Sequence, residues 1–413
     1  MLDLKYIREN PELVRDAISH RKDDAPLDEI LHLDGERRRQ VTELEELRRQ
    51  RKETAREKTA AEKGRELREQ IKTLEDTVRS LDENLRELLL RVPNIPQDSV
   101  PVGTSEDDNI VARSWGEIPS FNFTPRPHWE LGEALGIIDF DRGVKLSGSR
   151  FYVLQGLGAR LQRALITFMI DLHTREHGFR EIYPPYMVKR ETMTGSGNLP
   201  KFADNLYHDV EDDLWFVPTA EVPLTSLHRD EIIPPGRLPL YYAAYTACFR
   251  REKMSAGKDT RGIKRGHQFD KVELYKLTEP DSSNEELLKM LEAAETVCRK
   301  LKLPYRILEL CTADLGFAST KSNDIEIWSP GCAEWLEVSS CSNCGDFQAR
   351  RANIRYRPTA DAKPQFPHTL NGSGLALPRV LIAVLENYQR ADGSVAIPEV
   401  LQPFMGTGEI GLV

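Results

Sequence analysis

The chain has 413 residues, 39% of them hydrophobic and 30% charged, and a formal net charge of −9. That composition buries a sizeable core and excludes a disordered chain, and the net acidity means that any nucleic-acid contact must rest on a local basic patch. The opening MLDLKYIREN alternates charged and apolar residues without a continuous apolar run, so the expectation is a soluble, cytoplasmic protein with no membrane segment.

From about Asp34 to Arg91 the chain is rich in Arg, Lys, Glu and Leu and contains no proline. In its second half Leu67, Ile71, Leu74, Val78, Leu81, Leu85, Leu88 and Val92 follow at alternating steps of four and three, which places all of them on one helical seam. The first half is less regular, with Val41, Leu44, Leu47 and Ala55, yet long enough to lie antiparallel against the second, with a turn near Thr59 to Gly64. The spacing predicts an N-terminal helical domain over 1–92 that carries an antiparallel two-helix coiled-coil arm over about 34–91. Arg37, Arg38, Arg39, Arg48, Arg49, Arg51, Lys52, Arg56 and Lys58 crowd its first helix. They describe either a phosphate-gripping surface or a solvated face laced with i,i+4 pairs.

Pro93, Pro96 and Pro101, with the acidic run Glu106, Asp107, Asp108, mark an extended linker over 93–110. Beyond it, 111–413 mixes strands and helices. Strands are expected at Phe151–Leu154, Leu214–Val217, Leu240–Phe249, Phe269–Leu277 and Ile325–Trp328. Leu157, Leu161, Leu165, Phe168 and Leu172 form one helical stripe, and Leu287, Leu291, Ala294, Cys298 and Leu301 another, opened by a Ser283/Glu286 capping box. The helices cluster instead of alternating with the strands, so the fold class is α+β and not a doubly wound parallel sheet. The six cysteines are too scattered for a disulfide scaffold. Cys341 and Cys344, with Cys332 nearby, fall short of the four close ligands of a structural zinc site, so reduced thiols are expected.

Neither G-x-x-x-x-G-K-[ST] nor G-x-G-x-x-G occurs, so a nucleotide would have to be held without a P-loop or a Rossmann turn. The strand ending Phe249-Arg250-Arg251-Glu252, a polar loop, and the returning strand from Arg265 through Phe269 to Glu273 supply another device. On a strand Arg250 and Glu252 share a face about 6 to 7 Å apart, and Phe269 and Glu273 about 13 Å apart. A ring, an arginine fork and a carboxylate at such spacing can stack on a base, hold a phosphate and pair with an ammonium. The same residues also describe surface ion pairs on a hairpin. Downstream, Glu337-Val338-Ser339-Ser340 follows a turn at Pro330-Gly331 and offers hard oxygens suited to Mg²⁺ on a nucleotide. Asn371-Gly372-Ser373-Gly374 is read as opening a helix with Pro378 in its early turns, which puts Arg379 near an anion-favouring helix start.

These residues resemble the class II aminoacyl-tRNA synthetases, and within them the bacterial-type seryl-tRNA synthetases. FRREKMSAGKDTRGIKRGHQFDKVE from Phe249 is similar to the family's motif 2, NGSGLALPRVLIAVLENYQ from Asn371 to motif 3, and GFREIYPPYMV from Gly178 to the dimer-forming motif 1. Pro218-Thr219-Ala220-Glu221 and the N-terminal arm extend the resemblance over nearly the whole chain. It implies an antiparallel-sheet catalytic domain over 111–413 that activates L-serine with ATP and Mg²⁺ and loads it onto tRNA(Ser), with tRNA(Sec) left open as a second acceptor. A homodimer is implied too.

By matching position, the resemblance implies that Arg250 and Arg379 are catalytic, holding the α- and γ-phosphates of ATP. Glu252 would read the adenine, Phe269 would stack on it, and Arg251, Val338 and Ser339 would complete the ATP site. Glu337 and Ser340 would bind Mg²⁺. Thr219, Ala220, Glu221, Arg265, Glu273 and Ser373, with Arg250, would surround serine. The chain departs from the family's commoner pattern in the run Arg251-Glu252-Lys253-Met254 of motif 2, where S-E-A-G is frequent, and in a somewhat shorter arm. Two rival readings are an amino acid:carrier-protein ligase, which would lack the arm, and a catalytically inactive RNA-binding paralogue. The second would have lost at least one of Arg250, Glu252, Glu273 or Arg379, and all four are present.

Overall fold

The computed structural model describes residues 1–55, 61–253 and 261–412. Arg56, Lys58 and Thr59 of the expected arm, and 254–260 of the motif 2 loop, lie outside the described residues. The chain divides into two compact units, Met1–Ile95 and Pro96–Val413.

In the first unit the helices α1 (Leu27–Thr54) and α2 (Ala61–Leu89) pack against each other. Arg37 pairs with Asp82, and Arg48 with Glu75 at 2.7 Å, so numbers rise on one helix as they fall on the other and the pair is antiparallel. The seam faces inward: Leu67, Ile71, Leu81 and Leu85 are buried, and Leu74, Val78 and Leu88 half-buried. Val92 is buried as well but lies beyond the end of α2, and Gly64 lies inside α2 and not in a turn. α1 begins at Leu27, earlier than the expected Asp34, because Leu27 and Ile30 are buried and Asp34 is held by Arg8 at 3.1 Å. Leu85 is only 3% exposed, so Leu85→Ala is expected to destabilise this unit by about 2 to 5 kcal/mol, read as an earlier loss of helical circular dichroism in urea.

The second unit is built on an eight-stranded sheet. Its strands are β1 (Ile110–Trp115), β2 (Arg180–Glu181), β3 (Leu240–Phe249), β4 (Gln268–Thr278), β5 (Tyr305–Glu309), β6 (Lys321–Ser329), β7 (Glu334–Asn343) and β8 (His368–Ala376). Their spatial order is β1-β5-β6-β7-β8-β4-β3-β2, and every neighbouring pair is antiparallel except the short edge pair β2 and β3. Beside the sheet stand α3 (His128–Ala134), α4 (Gly156–Glu176), α5 (Ser283–Lys300) and α6 (Leu377–Asn387). Leu161 and Leu165 of α4, Leu287 and Leu291 of α5 and Leu381 of α6 share one core with Val272 and Leu274 of β4. Since strand residues alternate between faces, Phe269, Lys271 and Glu273 project to the opposite side, where they line a cavity.

Some sequence expectations give way to tertiary contacts. Asn371-Gly372-Ser373-Gly374 does not open a helix; it forms the middle of β8, and α6 starts at Leu377. The glycines answer close approach: a Cβ on Gly372 would lie 2.7 Å from Cys341 Sγ, and one on Gly374 2.7 Å from His173 Nε2. The Ser283/Glu286 capping box does not form. Ser283 Oγ instead donates to Pro280 O at 2.9 Å and contacts His368 Nδ1 at 2.8 Å, while Glu286 binds Lys276 at 2.8 Å. The strand expected at Phe151–Leu154 shortens to Val153–Leu154. All six cysteines are free thiols, and Cys341 and Cys344 join no metal-capable cluster among the described residues. No helix among the described residues is long and apolar enough to cross a membrane.

Candidate active site

β3 pairs with β4 over its whole length, Phe249 opposite Gln268 and Ala244 opposite Glu273. Pairing continues one residue further, where the Arg250 N–H donates to His267 O at 2.9 Å. This holds the Arg250 guanidinium over the Phe269 ring, 5.1 Å from its centroid, as a cation–π contact. The chain then leaves the ladder. Glu252 has φ +51, so it is not the same-face strand neighbour of Arg250 that its spacing suggested, and it instead lies 3.7 Å from Arg265. A non-glycine residue in that left-handed region carries a strain of order 1 to 3 kcal/mol.

On the other side of β4, β8 places Ser373 opposite Glu273 and Ala376 opposite Lys271. β7 contributes Glu337 and Ser340. Arg379, the third residue of α6, donates to Glu337 O at 2.5 Å and stands 3.2 Å from its carboxylate. These elements enclose one open cavity of about 990 Å³ including its mouth. Twelve of the expected residues line it: Thr219, Glu221, Arg250, Glu252, Arg265, Phe269, Glu273, Glu337, Val338, Ser340, Ser373 and Arg379.

Arg251, Ala220 and Ser339 are not among the residues lining it. Arg251 lies over the Tyr207 ring at 5.2 Å, Ala220 is buried in a small core with Leu224 and Ala349, and Ser339 donates to Ser373 O at 2.6 Å. Conversely, Lys264, Lys271 and Ser342 line the cavity without having been singled out from the sequence, and Asn371, read there as part of a helix start, lines it from β8. The period of two that pairs Phe269 with Glu273 also selects Lys271 between them. Gln348, which binds Glu221 Oε1 at 2.6 Å, has no comparable local signal, since that contact joins residues distant in sequence.

The cavity has two electrostatic ends. At one, Thr219 Oγ1 donates to Glu273 Oε2 at 3.0 Å, Lys271 pairs with the same carboxylate, and Glu221 Oε1 accepts from Asn371 Nδ2 at 3.0 Å. Burial, and then the neighbouring Glu273, push the Glu221 carboxyl up to about 7. At the other end burial acts to raise the Glu337 carboxyl, but Arg379, and with it Arg250 and Arg265, outweigh that effect and hold it below its ordinary value. The donor set fits a hard divalent cation. Glu337 and Ser340 offer oxygens, and Asp324, paired across the sheet with Ser340, has a buried Oδ1 without a hydrogen-bond partner. Carboxylates for an ammonium, arginines for phosphates and an aromatic face for a base thus lie in one cleft.

A cleft of this kind on an antiparallel sheet defines a class II aminoacyl-tRNA synthetase body. The family profile for the tRNA synthetase class II core domain (G, H, P, S and T) matches residues 202–388, and that for the Seryl-tRNA synthetase N-terminal domain matches residues 1–96. A serine–tRNA ligase of Dehalococcoides mccartyi is 66% identical over 99% of this chain and 100% of its own length. One of Thermomicrobium roseum is 59% identical over 98% of this chain and 94% of its own. The solved seryl-tRNA synthetase from Pyrococcus horikoshii complexed with ATP is similar with a TM-score of 0.94 and 41% identity, each chain covered over 100%. The chain belongs to the serine–tRNA ligase family.

Proposed function

We propose that this cavity joins L-serine to ATP as seryl-adenylate and then passes the seryl group to the 3′ end of tRNA(Ser). The observation that carries this reading is the convergence of Arg250 and Arg379 on one cavity that Phe269 and Glu273 of β4 also line. Phe269 stacks on the adenine, Glu252 meets its edge, Arg250 holds the α-phosphate and Arg379 the γ-phosphate. The serine ammonium faces Glu221 and Glu273, its hydroxyl lies among Thr219, Glu273 and Ser373, and Arg265 lies near its carboxylate. One carboxylate oxygen attacks the α-phosphorus in line, a P–O bond forms, and pyrophosphate leaves with the electrons of the broken bond. No side chain acts as nucleophile, because positioning and charge stabilisation lower the barrier. Glu337 and Ser340 would hold Mg²⁺, which when bound neutralises charge on the phosphoryl oxygens. In the second step the terminal ribose hydroxyl of tRNA attacks the adenylate carbonyl and AMP leaves.

Selection for serine follows from groups that need its hydroxyl. Leaving them unpaired disfavours alanine by roughly 10⁴ to 10⁵, while threonine is excluded by space. The arm supplies the tRNA contact through Arg38, Arg39, Arg51 and Lys52, all exposed on α1, and it weighs against a carrier-protein ligase, which would have no use for it. The segment from Gly178 to Val188 resembles the family's dimer-forming motif, so a homodimer in the cytoplasm is part of the proposal. Sedimentation should give twice the chain mass. Charging of purified tRNA(Ser) with labelled serine tests the reading, with tRNA(Sec) as a second acceptor in the same assay; no charging of tRNA(Ser) would overturn it.

A pH dependence follows from Glu221. Its carboxyl titrates at about 7, so the anion that attracts the serine ammonium accumulates as pH rises through neutrality. kcat/KM for serine should therefore climb between about pH 6 and 8, and Glu221→Gln should flatten that limb. The sign for folding is opposite. A carboxyl raised on folding binds its proton more tightly in the native state, so its contribution to stability declines from about pH 4.5 to 7.

A further inference from the structure

Glu386 near the end of α6 is fully buried, yet it holds five donors. Its Oε1 accepts the backbone N–H of His128 at 2.9 Å, the ring Nδ1–H of His128 at 2.9 Å and the Cys332 thiol at 3.6 Å. Its Oε2 accepts the Gly331 N–H at 2.9 Å and the Ser329 hydroxyl. These fill the roughly four lone-pair sites of a carboxylate. Burial would raise its pKa, but the bonds from His128 and Ser329 outweigh this and keep it an anion.

His128 is fully buried too, and its second nitrogen, Nε2, accepts the backbone N–H of Ile263 at 3.1 Å. Only an unprotonated ring nitrogen can accept an amide hydrogen, so the ring is neutral and Glu386 fixes which nitrogen carries the proton. Ile263 lies on the returning limb of motif 2, directly before Lys264, Arg265 and Gly266, which line the cavity. The preceding Gly262 has φ +72, and a Cβ there would lie 2.0 Å from His128 Nε2, so the limb is pressed against the imidazole. Nδ1 of His128, Sγ of Cys332 and a Glu386 oxygen lie close enough to suggest a metal site. The His128 Nδ1–H and the Cys332 thiol both donate to Glu386, so the cluster is a hydrogen-bond hub.

Resting on the proposed nucleotide site, we infer that Glu386 and His128 are positioning residues, which carry the rigidity of α6 and of the Ser329–Cys332 turn to the motif 2 limb and so set Lys264 and Arg265 for ATP. His128→Asn keeps a donor for Glu386 but cannot reach Ile263. ATP with Mg²⁺ should bind it about tenfold more weakly by titration calorimetry, and KM for ATP in serine-dependent pyrophosphate exchange should rise alike. KM for serine should rise less than KM for ATP, because of these two side chains only Arg265 lies near serine, and the melting temperature should stay near that of the wild type. A purely structural role would instead lower melting temperature and the number of active sites and leave Kd for ATP unchanged in the folded fraction. Gly262→Ala, which drives a methyl into Nε2 while keeping every side chain of the Glu386 hub, decides the case if His128→Asn fails to fold. It too should weaken ATP binding, and a folded variant of either kind with wild-type Kd for ATP overturns the inference. Wild-type protein that binds ATP without serine-dependent exchange would sink the functional reading alone, with the relay still judged by Kd. Wild-type protein that binds no ATP sinks both.

Discussion

Arg250→Ala is expected to lower serine-dependent pyrophosphate exchange by about 10² to 10³, the usual cost of losing one preorganised donor to a developing negative charge. The reason is local. The Arg250 backbone is locked by the ladder bond to His267, its Nε donates to Pro218 O at 3.3 Å, and its guanidinium rests on Phe269, so the fork is held in place before substrate arrives. Arg250→Lys would keep the charge and lose the planar fork, and should recover only part of the rate. The melting temperature should change little in either variant. Exchange by Arg250→Ala at near wild-type rate would remove this arginine from the reaction.

Deleting Gly35–Arg91 is expected to separate the two steps. Adenylation should persist near its wild-type rate, while kcat/KM for tRNA charging should fall at least about a hundredfold, equivalent to about 3 kcal/mol of lost contact. The deletion removes the arm part of a compact unit, Met1–Ile95, and leaves untouched every cavity residue, all of which lie in Pro96–Val413. Arg37, Arg48 and Arg49 are tied to Asp82, Glu75 and Glu46, so the exposed Arg38, Arg39, Arg51 and Lys52 are the better candidates for phosphate contacts. Their contribution should shrink as salt is raised. Equal loss of exchange and charging would make the arm a structural element only.

Periodic features were legible in the sequence. The four-three spacing on α2 through Leu88, the stripes of α4 and of α5 through Cys298, and β3 over Leu240–Phe249 appear where the pattern places them, because a packed seam or a buried strand leaves a regular trace. Features set by contacts between distant segments were not. The Asn-Gly-Ser-Gly run resembles a helix start, yet it is a strand whose glycines make room for Cys341 and His173. Ser283 and Glu286 have the spacing of a cap, but His368 and Lys276 claim them. Glu252 reaches the cavity by a left-handed turn instead of by strand alternation, and Gln348 and Asn371 reach Glu221 from segments far away in sequence. His128 carries no motif at all, and its place is visible only once α6 and the motif 2 limb are in space.

The most direct measurement is pyrophosphate exchange into ATP with each of the twenty amino acids in turn. Exchange with serine, and with no other amino acid above a small fraction of that rate, is the expected result. No exchange with serine, or equal exchange with an amino acid that lacks the hydroxyl, would contradict the assignment of Arg250, Arg379, Phe269 and Glu273 to a serine-activating site.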